Sequence, residues 1–252
     1  LHPTASVSLF EKAKLKRQVP TTSRGGAVIL KDAMLNNRMD NIFVDNFEEI
    51  LKLFKKYNLT LSIGTTFRPA CIGEALDEVQ VSEILAQKKY IDAAKSFGVN
   101  VMMEGIGHIS LDMIPEYCKL IEGHNTPLMP LGPMPTDATV GFDHVTAAIG
   151  ATAVALLGNV GMINSVTREE HTGGVPTNDA IIEGLKSARV AAHCVNLTRF
   201  EKYREFDNTL SKNRAENRSC VIKGGIFMDD SIVENGEGCT RCRYECPLTL
   251  LK

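Results

Sequence analysis

The sequence has no run of Lys and Arg that would lay a basic stripe along one face: its 28 basic and 30 acidic residues are interspersed and leave a formal net charge of −2. That argues against a nucleic-acid partner and for a small-molecule substrate. It also lacks a membrane-length apolar stretch. The longest uncharged apolar run, Ala147 to Leu157, is shorter than the roughly 20 residues a spanning helix needs, and no signal-peptide pattern opens the chain. A cytoplasmic protein with no membrane partner is expected. The dense cysteine spacing of a small secreted domain is missing too, since Cys71, Cys118, Cys194 and Cys220 are scattered among the 252 residues. Thiol and metal chemistry in a reducing compartment fits better. There is no internal repeat and no low-complexity tract, so the length suits one large domain or two small ones. The first residue is Leu1, not Met, and Leu-His-Pro-Thr-Ala-Ser-Val reads as the end of a strand. The expectation is a chain lacking an N-terminal part.

What the sequence does have is concentrated in its tail, where Cys239, Cys242 and Cys246 form a C-x2-C-x3-C array with no further cysteine or histidine nearby. Three local thiolates leave one metal position open. A 4Fe-4S cluster held this way keeps one iron free for an outside ligand, which suits catalysis better than electron storage. In radical enzymes that ligand is S-adenosylmethionine. A structural zinc knuckle is the alternative, and it would have to draw its fourth donor from elsewhere in the fold.

Along the chain, buried-type strands recur and each runs into polar residues. Leu59 to Gly64 leads into Thr65-Thr66-Phe67-Arg68, Val99 to Met103 into Glu104-Gly105-Ile106-Gly107-His108, and Thr126 to Leu131 into Gly132-Pro133-Met134-Pro135-Thr136-Asp137. Val160 to Val166 leads into Thr167-Arg168-Glu169-Glu170-His171. Between them the spacing predicts helices over 81–97, 111–121 and 143–157, and beyond them over 177–200 and 202–218. An Asp45-x-x-Glu48 capping box is expected to open a helix whose Phe47, Ile50, Leu51 and Phe54 share one face. Strand, polar loop and helix in alternation argue for parallel βα units, and functional residues at strand C-terminal ends are where a TIM barrel keeps its site. A doubly wound sheet is the competitor. About five strands of an expected eight are visible.

Ser23-Arg24-Gly25-Gly26 follows a polar turn and offers unhindered N–H groups beside a forked cation, a phosphate-binding combination, although such a segment is more often a mere turn. Among the six histidines, His108 and His171 follow strands in glycine-bearing loops. Ordinary hydrogen-bonded histidines are the bland reading. An open metal site sharing water or substrate is the sharper one. Glu104, at a strand end, is placed for a polar ligand as readily as for the surface.

Together these segments resemble the phosphomethylpyrimidine synthases of thiamine biosynthesis and their paralogues, the 5-hydroxybenzimidazole synthases of anaerobic cobamide biosynthesis. The carriers are SRGG at Ser23 to Gly26, EGIGH at Glu104 to His108, the run from Leu131 to Ala151, EEHTG at Glu169 to Gly173, AAH at Ala191 to His193, and the cysteine tail. The resemblance implies a (β/α)8 barrel over 1–200, a helical and cluster-binding arm over 201–252, and a homodimer. It also implies a 4Fe-4S cluster, S-adenosylmethionine, and an electron donor such as flavodoxin or ferredoxin. The substrate would be 5-aminoimidazole ribotide, contacted by His2, Ser23, Arg24, Gly25, Thr65, Thr66, Phe67, Arg68, Glu104 and Met129. His108 and His171 would be zinc ligands. Reductive cleavage of S-adenosylmethionine would give a 5′-deoxyadenosyl radical that abstracts hydrogen from the ribose, making this a carbon–carbon lyase.

Three departures bear on the product. The pyrimidine synthase pattern D-G-L-R is replaced by Thr65-Thr66-Phe67-Arg68, a tyrosine two residues before L-G-P is replaced by Met129, and the cysteine array is one residue tighter. Loss of a carboxylate and a phenol around the sugar favours 5-hydroxybenzimidazole synthase, with phosphomethylpyrimidine synthase as the alternative and a non-catalytic zinc-binding module as a remote one.

Overall fold

The computed structural model describes residues 1–216, 222, 224–227, 241, 242, 245 and 247–250. Helices α1 (Val7–Lys16), α2 (Arg24–Leu35), α3 (Ile42–Asp45) and α4 (Phe47–Lys56) precede the strand β1 (Thr60–Ile63). Then come α5 (Glu78–Ser96), β2 (Asn100–His108), α6 (Ile114–Ile121), β3 (Leu128–Met134) and α7 (Asp143–Leu157). The chain closes with α8 (Asn178–Arg199), α9 (Glu201–Glu216) and α10 (Pro247–Leu250). It divides into two compact units, Leu1–Ala192 and His193–Lys252. No helix among the described residues is long and apolar enough to cross a membrane.

In the first unit the sheet order is β1-β2-β3, every pair parallel. Crossovers that all step the same way, taken right-handed, put their helices on one face. Accordingly α5 packs on β1 and β2, α7 on β3, and α6 on α7. Both edges extend by a single residue. Leu1 N donates to Ser62 O at 2.9 Å and Gly64 N donates to Leu1 O at 2.6 Å, the parallel pattern, while Leu128 pairs with Val160 on the far side. The chain-order sequence Leu1, β1, β2, β3, Val160 never reverses, as it would in a doubly wound sheet. This is singly wound α/β architecture. The closed eight-stranded barrel is not formed among the described residues, which contribute three strands.

Val160 to Val166 fails as a strand for a definite reason. Leu128 N donates to Asn159 O and Gly161 N donates to Leu128 O, so the next donor toward that segment would be residue 130. Residue 130 is proline, which has no N–H, and the ladder stops after one bridge.

The two faces of the sheet differ. Leu61, Ile63, Met103 and Leu128 are buried against the helices, and truncating one of them to Ala would cost about 2–5 kcal/mol. The opposite row, Ser62, Met102, Glu104 and Met129, is half-buried, with Glu104 directly opposite Met129. α7 packs closely, as its small residues imply: a Cβ on Gly150 would lie 2.1 Å from Pro133 O. The expected capping box does not form, because Asp45 ends α3 and Asn46 is the N-cap of α4, with no side-chain cap bond.

In the second unit α9 carries no buried residue. His193 Nε2 meets Asp207 Oδ1 at 2.8 Å, and the rings of Tyr203 and Phe206 stand edge-on to the imidazole. Cys242 is exposed and not in a disulfide, while Cys239 and Cys246 lie outside the described residues, as does most of the acidic segment expected between Ser219 and the cysteines.

Candidate active site

α5 builds the site from behind. Its buried face carries three polar residues one turn apart, Gln80, Glu83 and Gln87, where burial without partners would be costly. Gln87 Nε2 donates to Ile63 O, Gly64 O and Glu104 O at 3.3, 3.3 and 2.9 Å, and Gln80 Nε2 donates to Ile106 O at 3.2 Å. These amides saturate the carbonyls of the strand ends. Glu83 accepts from Thr66 N and Phe67 N at 2.6 and 2.7 Å and from the hydroxyls of Thr65 and Thr4 at 2.7 and 2.8 Å. Burial pushes its carboxyl above the ordinary range, and these four donors pull it only part of the way back. Arg17 closes the same loop from the other side, donating to Phe67 O at 2.7 Å and as a fork to Asp77 at 2.8 and 2.6 Å.

The strand ends bring together His2, Ser23, Gly25, Thr66, Arg68 and Glu104. Ser23 is the N-cap of α2, its hydroxyl accepting from Gly26 N at 3.0 Å. The expected turn is therefore the first turn of a helix, whose free N–H groups and dipole suit an anion. Arg24 is exposed on that turn. The His2 ring lies with Nδ1 3.2 Å from Thr66 Oγ1 and Nε2 3.4 Å from Ser23 Oγ. Its backbone is held by buried Asn41, which donates to the carbonyls of His2, Pro3 and Ala5. Glycine at position 25 lets the His2 ring approach, since a Cβ there would lie 2.9 Å from His2 Nε2. Burial holds the His2 imidazole below its ordinary value, with Glu104 opposing and Arg68 adding to the shift. Burial likewise lowers Arg68, opposed by Glu104, Glu83 and Glu170. Glu104 accepts from Ser62 Oγ at 3.4 Å.

A second group stands at the ends of β2 and beyond β3. His108 Nδ1 pairs with Asp137 Oδ1 at 2.7 Å, His171 Nδ1 pairs with Asp143 Oδ1 at 2.6 Å, and the two rings meet edge-to-face at 4.9 Å. A carboxylate on each Nδ1 fixes the ring and leaves Nε2 for a ligand, the arrangement that backs metal-binding histidines. Gly107 permits the approach, adopting φ +100° with its missing Cβ 2.5 Å from Pro69 O. Both imidazoles, Arg68 and Glu170 line a cleft of about 160 Å³. No group of three or more His, Cys, Asp and Glu poised to hold a metal is present among the described residues.

Two predicted contacts turn elsewhere. Phe67 is fully buried in a cluster with Ala5, Ala13, Leu30 and Val79, and the Thr65 hydroxyl goes to Glu83, leaving only their backbone at the loop. β2 also runs through His108, so His108 is a strand residue, not a loop residue, and Glu104 lies within the strand instead of at its end. Sequence reasoning missed Glu83, Asp137 and Asp143. The two aspartates stand in the very segments quoted above, one at a strand exit and one opening a helix, which is the signal available for them.

A sheet wound in one sense, with its ionisable side chains gathered where the parallel strands end, defines the class of α/β proteins that keep a polar site at the carboxyl ends of their strands. Within it, the family model described as the Radical SAM ThiC family matches residues 1–252, and the chain belongs to that family. The phosphomethylpyrimidine synthase of Pyrococcus furiosus is 38% identical over 262 residues, covering 100% of this chain and 60% of that protein. That of Clostridioides difficile is 33% identical, with 100% and 60% covered, and that of Thermococcus gammatolerans 37% identical, with 86% and 51% covered. The chain thus spans about half to 60% of the length of these relatives.

These names overturn the preference for 5-hydroxybenzimidazole synthase and for a role in cobamide synthesis, since the relatives are consistently phosphomethylpyrimidine synthases. One physical ground for that preference also falls. Thr65 was read as a lost site carboxylate, but its side chain turns inward to Glu83.

Proposed function

We propose that the protein is a radical S-adenosylmethionine lyase that rearranges 5-aminoimidazole ribotide to hydroxymethylpyrimidine phosphate for thiamine biosynthesis. The observation that carries this reading is the convergence of His2, Ser23, Gly25, Arg68 and Glu104 at the strand ends of a chain whose relatives bear that activity's name. The first turn of α2 takes the ribotide phosphate through its free N–H groups. Glu104 and His2 accept or donate at the ribose hydroxyls, and Arg68 closes the anionic end. By holding the ribotide still and excluding water, these groups select one hydrogen for abstraction.

A 4Fe-4S cluster on Cys239, Cys242 and Cys246, when bound, supplies the electron that cleaves S-adenosylmethionine. The donor set supports this, being three thiolates at short spacing with Cys242 exposed. His108 and His171 fit a divalent ion such as zinc, because each Nδ1 is occupied by a carboxylate and each Nε2 is left for a ligand. Their part is to present two ring nitrogens beside the cleft. The proposal includes a homodimer and a flavodoxin- or ferredoxin-type electron donor.

Anaerobic turnover with 5-aminoimidazole ribotide, followed by mass spectrometry, tests the reading. Hydroxymethylpyrimidine phosphate is the expected product, and any other main product overturns it.

A further inference from the structure

Glu83 is a fully buried carboxyl group that the chemistry above does not use, with 1% of its surface exposed. Its surroundings are chemically strict. Oε1 takes Thr66 N–H at 2.6 Å and the Thr4 hydroxyl at 2.8 Å, and Oε2 takes Phe67 N–H at 2.7 Å and the Thr65 hydroxyl at 2.7 Å. Each oxygen thus receives one peptide N–H, a donor that cannot turn away. A glutamine here would aim its NH2 at one of those peptide donors in either orientation, leaving a buried clash of donors.

The loop it holds is not passive. Thr66 Oγ1 sits 3.2 Å from His2 Nδ1, and the Thr66 side chain fills the space a Cβ on Gly26 would need, 2.5 Å from its Cγ2. Thr66 is therefore a wedge touching both the imidazole and the first turn of α2, while Arg68 Nη1 donates back to Thr65 O at 3.0 Å. A shift of the peptide at 66 moves all three.

We propose that Glu83 is a positioning residue: its carboxylate fixes the loop 65–67 and, through Thr66, sets the orientation of His2 and of the anion-binding first turn of α2 toward the substrate. The identity of that substrate rests on the function proposed above. The test uses Glu83→Gln and Thr4→Val in the intact protein, with histidine-selective 15N spectra of the ligand-free form and calorimetric titration with 5-aminoimidazole ribotide. Glu83→Gln is expected to shift the His2 ring signals and weaken ribotide binding about tenfold or more. Thr4→Val, which removes one donor and keeps the carboxylate, should shift the same signals less and weaken binding about two- to fivefold. A general loss of stability would leave the His2 signals of the folded fraction where they are. Unchanged His2 signals in folded Glu83→Gln, or in Thr4→Val if the first variant does not fold, overturn the proposal. If the wild-type protein ignores the ribotide, the functional reading falls, while the ligand-free His2 signals still decide the role of Glu83.

Discussion

At the amino-terminal end of β3, between α6 and the end of α7, lies a cavity of about 480 Å³, whereas the cleft beside His108 and His171 at the carboxyl end holds about 160 Å³. The larger space includes Cys118, whose thiol burial pushes up, away from the thiolate form. In the smaller one each imidazole is backed by a carboxylate, and Arg68 and Glu170 face in. Space does not locate chemistry in this molecule. Partners do: the carboxyl end is where α5 places three buried polar side chains and where Arg17 and Asp77 tie down the loop.

The sharpest break in this comparison is removal of both proposed ring ligands. His108→Ala with His171→Ala should abolish bound divalent metal while leaving iron in place, and Lys119→Ala with Glu122→Ala at the other end should change neither, as elemental analysis will read. Retained zinc in the histidine variant would erase the distinction between the ends.

Next in size is the anchor of the loop. Arg17 has a fully buried side chain paired with Asp77, so Asp77→Asn leaves an uncompensated charge and should cost about 3 kcal/mol in denaturant unfolding. The pair also sets a pH dependence. Burial raises the Asp77 carboxyl, but Arg17 and the N–H groups of Gln80 and Val79 lower it further, to a net value below the ordinary one. A depressed folded pKa means the contribution is fully present above about pH 4 and is lost as pH falls through the folded value. Acid titration of stability should steepen there in the wild type and less so in Asp77→Asn.

Smaller still is Asp143→Asn. Its carboxylate is 2% exposed and lies against His171, whereas Asp137 beside His108 is 44% exposed. Competition with a chelator should show metal affinity lowered about 10- to 100-fold for Asp143→Asn, and less for Asp137→Asn. Equal losses would mean burial does not grade the two carboxylates. Least of all, exposed Glu122→Ala should stay within about 0.5 kcal/mol of the wild type.

Much of this was legible in the residues. The apolar strand cores at 60–63 and 128–131, the helix ended by Gly98 in the left-handed region at φ +77°, and the small-residue helix Asp143–Leu157 all follow from local pattern. So did the placing of polar residues at strand ends. Glu83 escaped because a period of 3.6 finds apolar stripes, and on α5 the buried face is itself partly polar. The strand expected at 160–166 failed for a reason that lies in the partner, since Pro130 withholds the donor. The product reading failed because a side chain's direction was assumed: the face to which Thr65 turns depends on a carboxylate eighteen positions later, which pattern alone does not pair with it.

The central claim is that the substrate sits at the carboxyl end of the strands. Hydrogen exchange of the protein with and without 5-aminoimidazole ribotide measures this directly. Slowed exchange at 23–26, 65–68 and 104–108, with none at 115–125, is the predicted result. Protection at 115–125, or none at the strand ends, would contradict it.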